Sequence, residues 1–178
     1  MRLAVLLLAF ILIAGCKKED GDPFDNIKGE SGISYNKSKS FWNDMKKENG
    51  NSYEYETTFT SWTGFGSTTT FKVEEGVVTE RTYTEFNADE GASGEIQLES
   101  YKEVGDEVGD HEKGAKPVSI DELYESCASE FLVACPCDNT LYFETESNGL
   151  MNLCGFVPDG CQDDCYQGVR ISSFSWLE

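Results

Sequence analysis

Histidine is nearly absent from this chain: His111 is the only one. It lies in GDEVGDHEKGAKP, residues 105–117, a charged and glycine-rich loop in which a lone imidazole is ordinarily solvated rather than catalytic. A single histidine also excludes a His-Glu-x-x-His zinc site. No Gly-x-Ser-x-Gly elbow is present, and no Cys-x-x-Cys pair. Gly64-Phe65-Gly66 is too short for a phosphate loop and lacks its lysine. Paired carboxylates could serve a glycosidase, but nothing selects two acids out of 33. The expectation is a protein that is not an enzyme, with no catalytic residue to name. Basic residues are scarce as well. The 14 Lys and Arg face 33 Asp and Glu, a net charge of −19, which repels nucleic acid and anionic headgroups. Partners are expected to be basic, neutral or bridged by divalent cations. The same acidity would keep an exported domain soluble.

Long apolar runs are missing everywhere except at the start. Arg2 precedes a stretch from Leu3 to Ala14 that is too short to span a bilayer well as a helix. The stretch ends in Ile13-Ala14-Gly15-Cys16, small residues before a cysteine. This resembles the lipobox of bacterial lipoprotein signal peptides. The resemblance implies cleavage after residue 15, lipidation of Cys16 and stable attachment through two or three acyl chains such as palmitate, since one chain binds only marginally. Lys17-Lys18-Glu19-Asp20 resembles the export signal that sends some Gram-negative lipoproteins to the outer face of the outer membrane. The expected organisation is a signal peptide at 1–15, a lipidated cysteine and flexible tether at 16–34, and one globular domain at 35–178. The expected localisation is the bacterial envelope, at the outer membrane and cell surface.

With the anchor set aside, Cys127, Cys135, Cys137, Cys154, Cys161 and Cys165 remain, all in the last third. An even number in an exported domain reads as disulfides. Six cysteines allow fifteen connectivities, and sequence does not choose among them. Cys135-Pro136-Cys137 are expected not to pair with each other, since so short a loop strains a disulfide. A redox reading of that motif lacks a βαβ context and a Cys-x-x-Cys, and the spacings fit no common zinc ribbon. The loop PDGCQDDCYQG adds Asp159, Asp163 and Asp164. Its spacing does not match an EF-hand, and a disulfide-closed turn is the preferred reading. Calcium is the alternative and the only cofactor in view.

Periodicity gives an α+β domain with an antiparallel sheet of six to seven strands, two helices and a disulfide-stapled C-terminal third. Ser34 caps a helix over about Tyr35 to Glu48, stopped by Asn49-Gly50, with Phe41, Trp42 and Met45 inward. SYEYETTF alternates as a strand with Tyr53, Tyr55 and Phe59 on one side. TTTFKVEEGVVTERTYTEF is a hairpin turning at Glu75-Gly76, and EIQLESYKEV is a further strand. Ser119-x-x-Glu122 is a capping box opening a second helix that carries Cys127 to the core. NTLYFETE, LMNLCGFV and VRISSFSW are the last strands. In the final one Val169 and Ile171 are out of phase with Phe174 and Trp176 unless a bulge falls near Ser172-Ser173.

Trp42…Tyr53-x-Tyr55, Val73-x-x-Gly76-Val77-Val78 and Ile120-Asp121-Glu122-Leu123-Tyr124 resemble a family of small exported bacterial domains of unknown function. The six-cysteine third lies outside that family's pattern, and the family brings no activity to carry over. The functional expectation is a membrane-anchored, non-catalytic binding domain for an extracytoplasmic protein, peptide or glycan. Its surface would be Trp62 and Phe65, with the His111 loop. The plainer reading of Trp62 and Phe65 places both rings in the core. The alternatives are an accessory subunit of an envelope complex with no ligand of its own, or a calcium-dependent binding module.

Overall fold

The computed structural model describes residues 23–88 and 95–178. The leader, Cys16, the Lys17–Asp20 signal and residues 89–94 of the glycine-rich loop lie outside these described residues. Among the described residues, three α-helices precede or interrupt seven strands: α1 Pro23–Asn26, α2 Tyr35–Asn49, β1 Tyr53–Thr60, β2 Phe65–Glu74, β3 Val77–Ala88, β4 Glu95–Val104, α3 Ile120–Ser126, β5 Asn139–Thr145, β6 Met151–Pro158 and β7 Gln167–Trp176. A 3₁₀ turn at Gly105–Glu107 follows β4, and a π-helical turn at Cys127–Phe131 prolongs α3. The strands form one antiparallel sheet in the order β4-β3-β2-β1-β7-β6-β5. Among the described residues no helix is long and apolar enough to cross a membrane.

The described residues hold three α-helices rather than the two expected, and the additional one, α1, falls in the expected tether. Phe24 and Ile27 pack against the core. Lys28 bridges Ser34, and the Glu30 N–H donates to Glu144 on β5 at 2.9 Å. Polarity around these two apolar residues hides their packing. The other local signals act as read. Ser34 accepts from the Lys37 N–H, and Gly50, at φ +87°, closes α2 by donating to the Lys46 carbonyl. The Ser119–Glu122 capping box opens α3. β2 and β3 turn at Glu75-Gly76, both at positive φ. On β7, Ser172 is the bulged residue between the pairs Glu56↔Ser173 and Thr57↔Ile171. It puts Ile171 in phase with Phe174 and Trp176.

Alternation gives the sheet one polar face and one face under the helices. Trp42 of α2 is fully buried, stacked on Trp176 at 5.6 Å and edge-on to Tyr53 and Phe174. Tyr35 and Ser38 complete the buried stripe of α2, while Phe41 and Met45 are only half-buried. A relay of hydrogen bonds joins both helices to the β5–β6 turn. The Met151 N–H donates to the Tyr124 hydroxyl, which donates to Ser38 Oγ, which donates to the Gly149 carbonyl at 2.6 Å. Burial pushes the Tyr124 phenol up to about 12, so it remains a donor at neutral pH.

Among the described residues three disulfides are present: Cys127–Cys154, Cys135–Cys137 and Cys161–Cys165. The first is fully buried and ties the helical segment to β6, the role expected of Cys127. The second overturns the expectation that Cys135 and Cys137 would not pair. The Cys135 carbonyl accepts from the Asp138 N–H and from Asn139 Nδ2, at 3.2 and 2.9 Å. That turn brings the two Cα atoms to 5.2 Å, within the ordinary range for a disulfide.

Candidate binding cleft

The helices cover only part of the inner face. The rows Tyr53–Val73 and Tyr55–Phe71 lie under α2 and α3. The rows beyond them, Thr57–Thr69 and Phe59–Ser67, line an open cleft of about 710 Å³. Tyr55 and Phe71, stacked at 4.9 Å, form its buried floor with Thr69. Ala115, Lys116 and Val118 form one wall, Leu123, Glu130 and Phe131 the second, and Asp164, Tyr166 and Val169 the third. The opening arises where two strands part. β1 and β7 pair only as far as Thr57↔Ile171, yet β1 runs on to Thr60 and β7 starts at Gln167.

The PDGCQDDC loop helps to shape this opening. Ser61 Oγ donates to Asp164 Oδ2 at 2.6 Å, which ties the β1–β2 turn to the turn closed by Cys161–Cys165. Asp159, Asp163 and Asp164 do not converge. Among the described residues, the group whose donor atoms lie within 4.8 Å of one another is Cys135, Cys137 and Asp138. Its sulfurs are joined to each other, and a zinc-type site needs thiolates. The turn held by Asp164 presents Trp62, which is 77% exposed, between Phe59 at 49% and Phe65 at 37%. Trp62 and Phe65 are therefore not core residues. Phe59, which sequence alternation places with the buried Tyr53 and Tyr55, is also exposed and lines the cleft, and Trp62 and Phe65 follow it along the β1–β2 turn.

His111 serves a different arrangement. Its ring stacks on Tyr101 at 4.0 Å, and its Nδ1 lies 2.8 Å from Glu103. Glu103 is buried on β4 and accepts from the Gly109 and His111 N–H groups at 2.7 Å and from Arg81 at 3.2 Å. Burial raises the Glu103 pKa, but these donors outweigh it and hold the carboxyl below its ordinary range. The buried Arg81 also donates to the Tyr101 hydroxyl and to the carbonyls of His111 and Lys113. Lys113 bonds Glu99 and Glu85, which push its ammonium well up. The loop 105–117 is thus strapped over β3 and β4, and its far end becomes the cleft wall at Ala115 and Lys116. No hydrogen bond or ring contact joins His111 to Trp62 or Phe65 among the described residues. The sequence carried one signal for this strap: Arg81 shares the inward phase of Tyr83, and a charge on an inner face calls for a buried partner.

Chemically, the cleft offers an apolar floor, threonine hydroxyls and a rim of mixed charge. Lys116 and Arg170 have no carboxylate partner within 4.0 Å among the described residues, although the chain is strongly acidic overall. Such a site suits a ligand with both apolar and polar surface. Comparison of the chain with protein-family models, with curated proteins and with solved structures found no match.

Proposed function

We propose that the chain is a lipid-anchored bacterial envelope protein whose domain binds an extracytoplasmic peptide, protein or glycan in the cleft between the β1–β2 floor and the 115–118 wall. One observation carries the reading: a cleft of about 710 Å³ lined in part by exposed Phe59, with exposed Trp62 and Phe65 on the β1–β2 turn that continues from it. Exposed aromatics beside a preformed concavity suit sugar faces and extended peptides alike, since a ring supplies contact area at little cost in rotamer freedom. The anchor rests on the lipobox and Cys16, and the tether would hold the cleft away from the membrane surface.

The test places a photo-crosslinking side chain at Thr57, inside the cleft, in cells carrying the full chain. The same group at Thr82, on the polar face of the sheet, is the control. The expected result is a discrete adduct from position 57 and none from position 82. Equal yields from both positions, or none from either, would count against the cleft. For the anchor, Cys16→Ala should abolish labelling by an alkyne palmitate analogue.

A further inference from the structure

We infer that Cys135–Cys137 is a thiol–disulfide exchange site, acting on thiols of exported proteins or peptides. This goes beyond the binding role and does not depend on the cleft being the binding site. The six disulfide-bonded cysteines differ in burial and in span. Cys127 and Cys154 are fully buried and join segments 27 residues apart. Cys135, Pro136 and Cys137 are all exposed, and their bond spans a single residue. A bond of that kind constrains the unfolded chain little, and its exposure leaves both sulfurs open to an attacking thiolate. Cys161–Cys165 is less open, because Cys165 is half-buried and Asp164 between them is engaged by Ser61.

The surroundings assign direction to the exchange. Asp138 Oδ2 lies 3.2 Å from Cys137 Sγ, so negative charge developing on that sulfur would face a carboxylate. Cys135 is then the better leaving group, and Cys137 Sγ the attacked atom. A partner thiolate forms a new S–S bond to Cys137 as the Cys135–Cys137 bond breaks, and Cys135 departs with the electron pair. A second thiol of the partner, deprotonated, attacks the partner's own sulfur in the mixed disulfide and expels Cys137. The partner has lost two electrons and two protons, and Cys135 and Cys137 hold both as thiols. Exchange with another disulfide, such as oxidised glutathione, restores the starting bond. Exposed Val133, two residues before Cys135, offers an apolar contact beside the bond.

The test equilibrates the full chain with a graded series of reduced and oxidised glutathione, alkylates the free thiols and maps them by mass spectrometry. Cys135 and Cys137 should become labelled together, at ratios where Cys127, Cys154, Cys161 and Cys165 stay oxidised. In parallel, the full chain is mixed with a synthetic peptide carrying two thiols. Cys135→Ala/Cys137→Ala should slow peptide oxidation at least tenfold with the far-UV circular dichroism unchanged, while Cys161→Ala/Cys165→Ala should not. The inference is overturned if either other disulfide is reduced as readily as Cys135–Cys137, or if the Cys135→Ala/Cys137→Ala variant oxidises the peptide at the wild-type rate. The thiol map of the wild-type chain stands even where a variant does not fold.

Discussion

The two halves of the sheet's inner face are built from one set of strands and end in opposite states. Toward Tyr53 and Val73, two helices fill the face with interlocked rings centred on Trp42. Toward Thr57 no helix covers the same strands, the 105–117 loop reaches over Thr69 through the Ala115 N–H, the inward positions include Thr57, Ser67 and Thr69, and β1 separates from β7. The filled half carries stability. The open half is held in shape from its margins: by the Arg81–Glu103 strap, by the Ser61–Asp164 bond and by the disulfide turn. A substitution in the filled half or in the strap should therefore damage folding, and one on the exposed surface of the open half should leave folding nearly unchanged.

The largest effect on folding is expected at Trp42. Its truncation to alanine should cost about 3–5 kcal/mol in urea denaturation, the range for a large aromatic removed from a core. Breaking the strap by Arg81→Met leaves Glu103 buried without its cation and should cost roughly 3 kcal/mol, together with faster proteolysis of the 105–117 loop. Glu103 also sets a pH dependence. Its folded pKa is lowered, so its stabilising contribution is complete above the ordinary carboxylate value of about 4.3 and is lost as pH falls through the folded value. Melting temperature should fall in acid below about pH 4, and Glu103→Gln should flatten that decline. Removal of Cys127–Cys154 should cost about 2–4 kcal/mol, and removal of Cys135–Cys137 about half as much, because the closed loop is far shorter. The smallest folding effect is expected at Trp62→Ala, within about 0.5 kcal/mol by melting, since an exposed side chain has little packing to lose. If Trp62→Ala destabilised the chain as Trp42→Ala does, the division into a filled and an open half would fail.

The filled half was legible in the sequence, and the open half was not. Ser34, Gly50 and the Ser119–Glu122 box signal locally, within one helical turn, and the strands follow a period of two. The phase conflict in VRISSFSW even located the bulge at Ser172. The cleft, in contrast, depends on where helices stop covering a sheet and where two strands distant in sequence part, which no local pattern records. Phe59 shows the limit: its phase matches buried Tyr53 and Tyr55, yet no helix lies over its end of the strand. Polar sequence around Phe24 and Ile27 disguised an ordered segment as tether. The pairing of Cys135 with Cys137 turned on a tight turn held by Asn139, which spacing alone argued against.

The most direct measurement screens the full chain against peptide and glycan arrays, then titrates the best ligand against two variants. Thr57→Trp fills the cleft from its floor, and Thr82→Trp adds the same ring to the polar face. Thr57→Trp should lose at least tenfold in affinity, with unchanged melting behaviour, and Thr82→Trp should lose none. Wild-type affinity retained by Thr57→Trp would contradict the proposal that the open half of the sheet is a binding site.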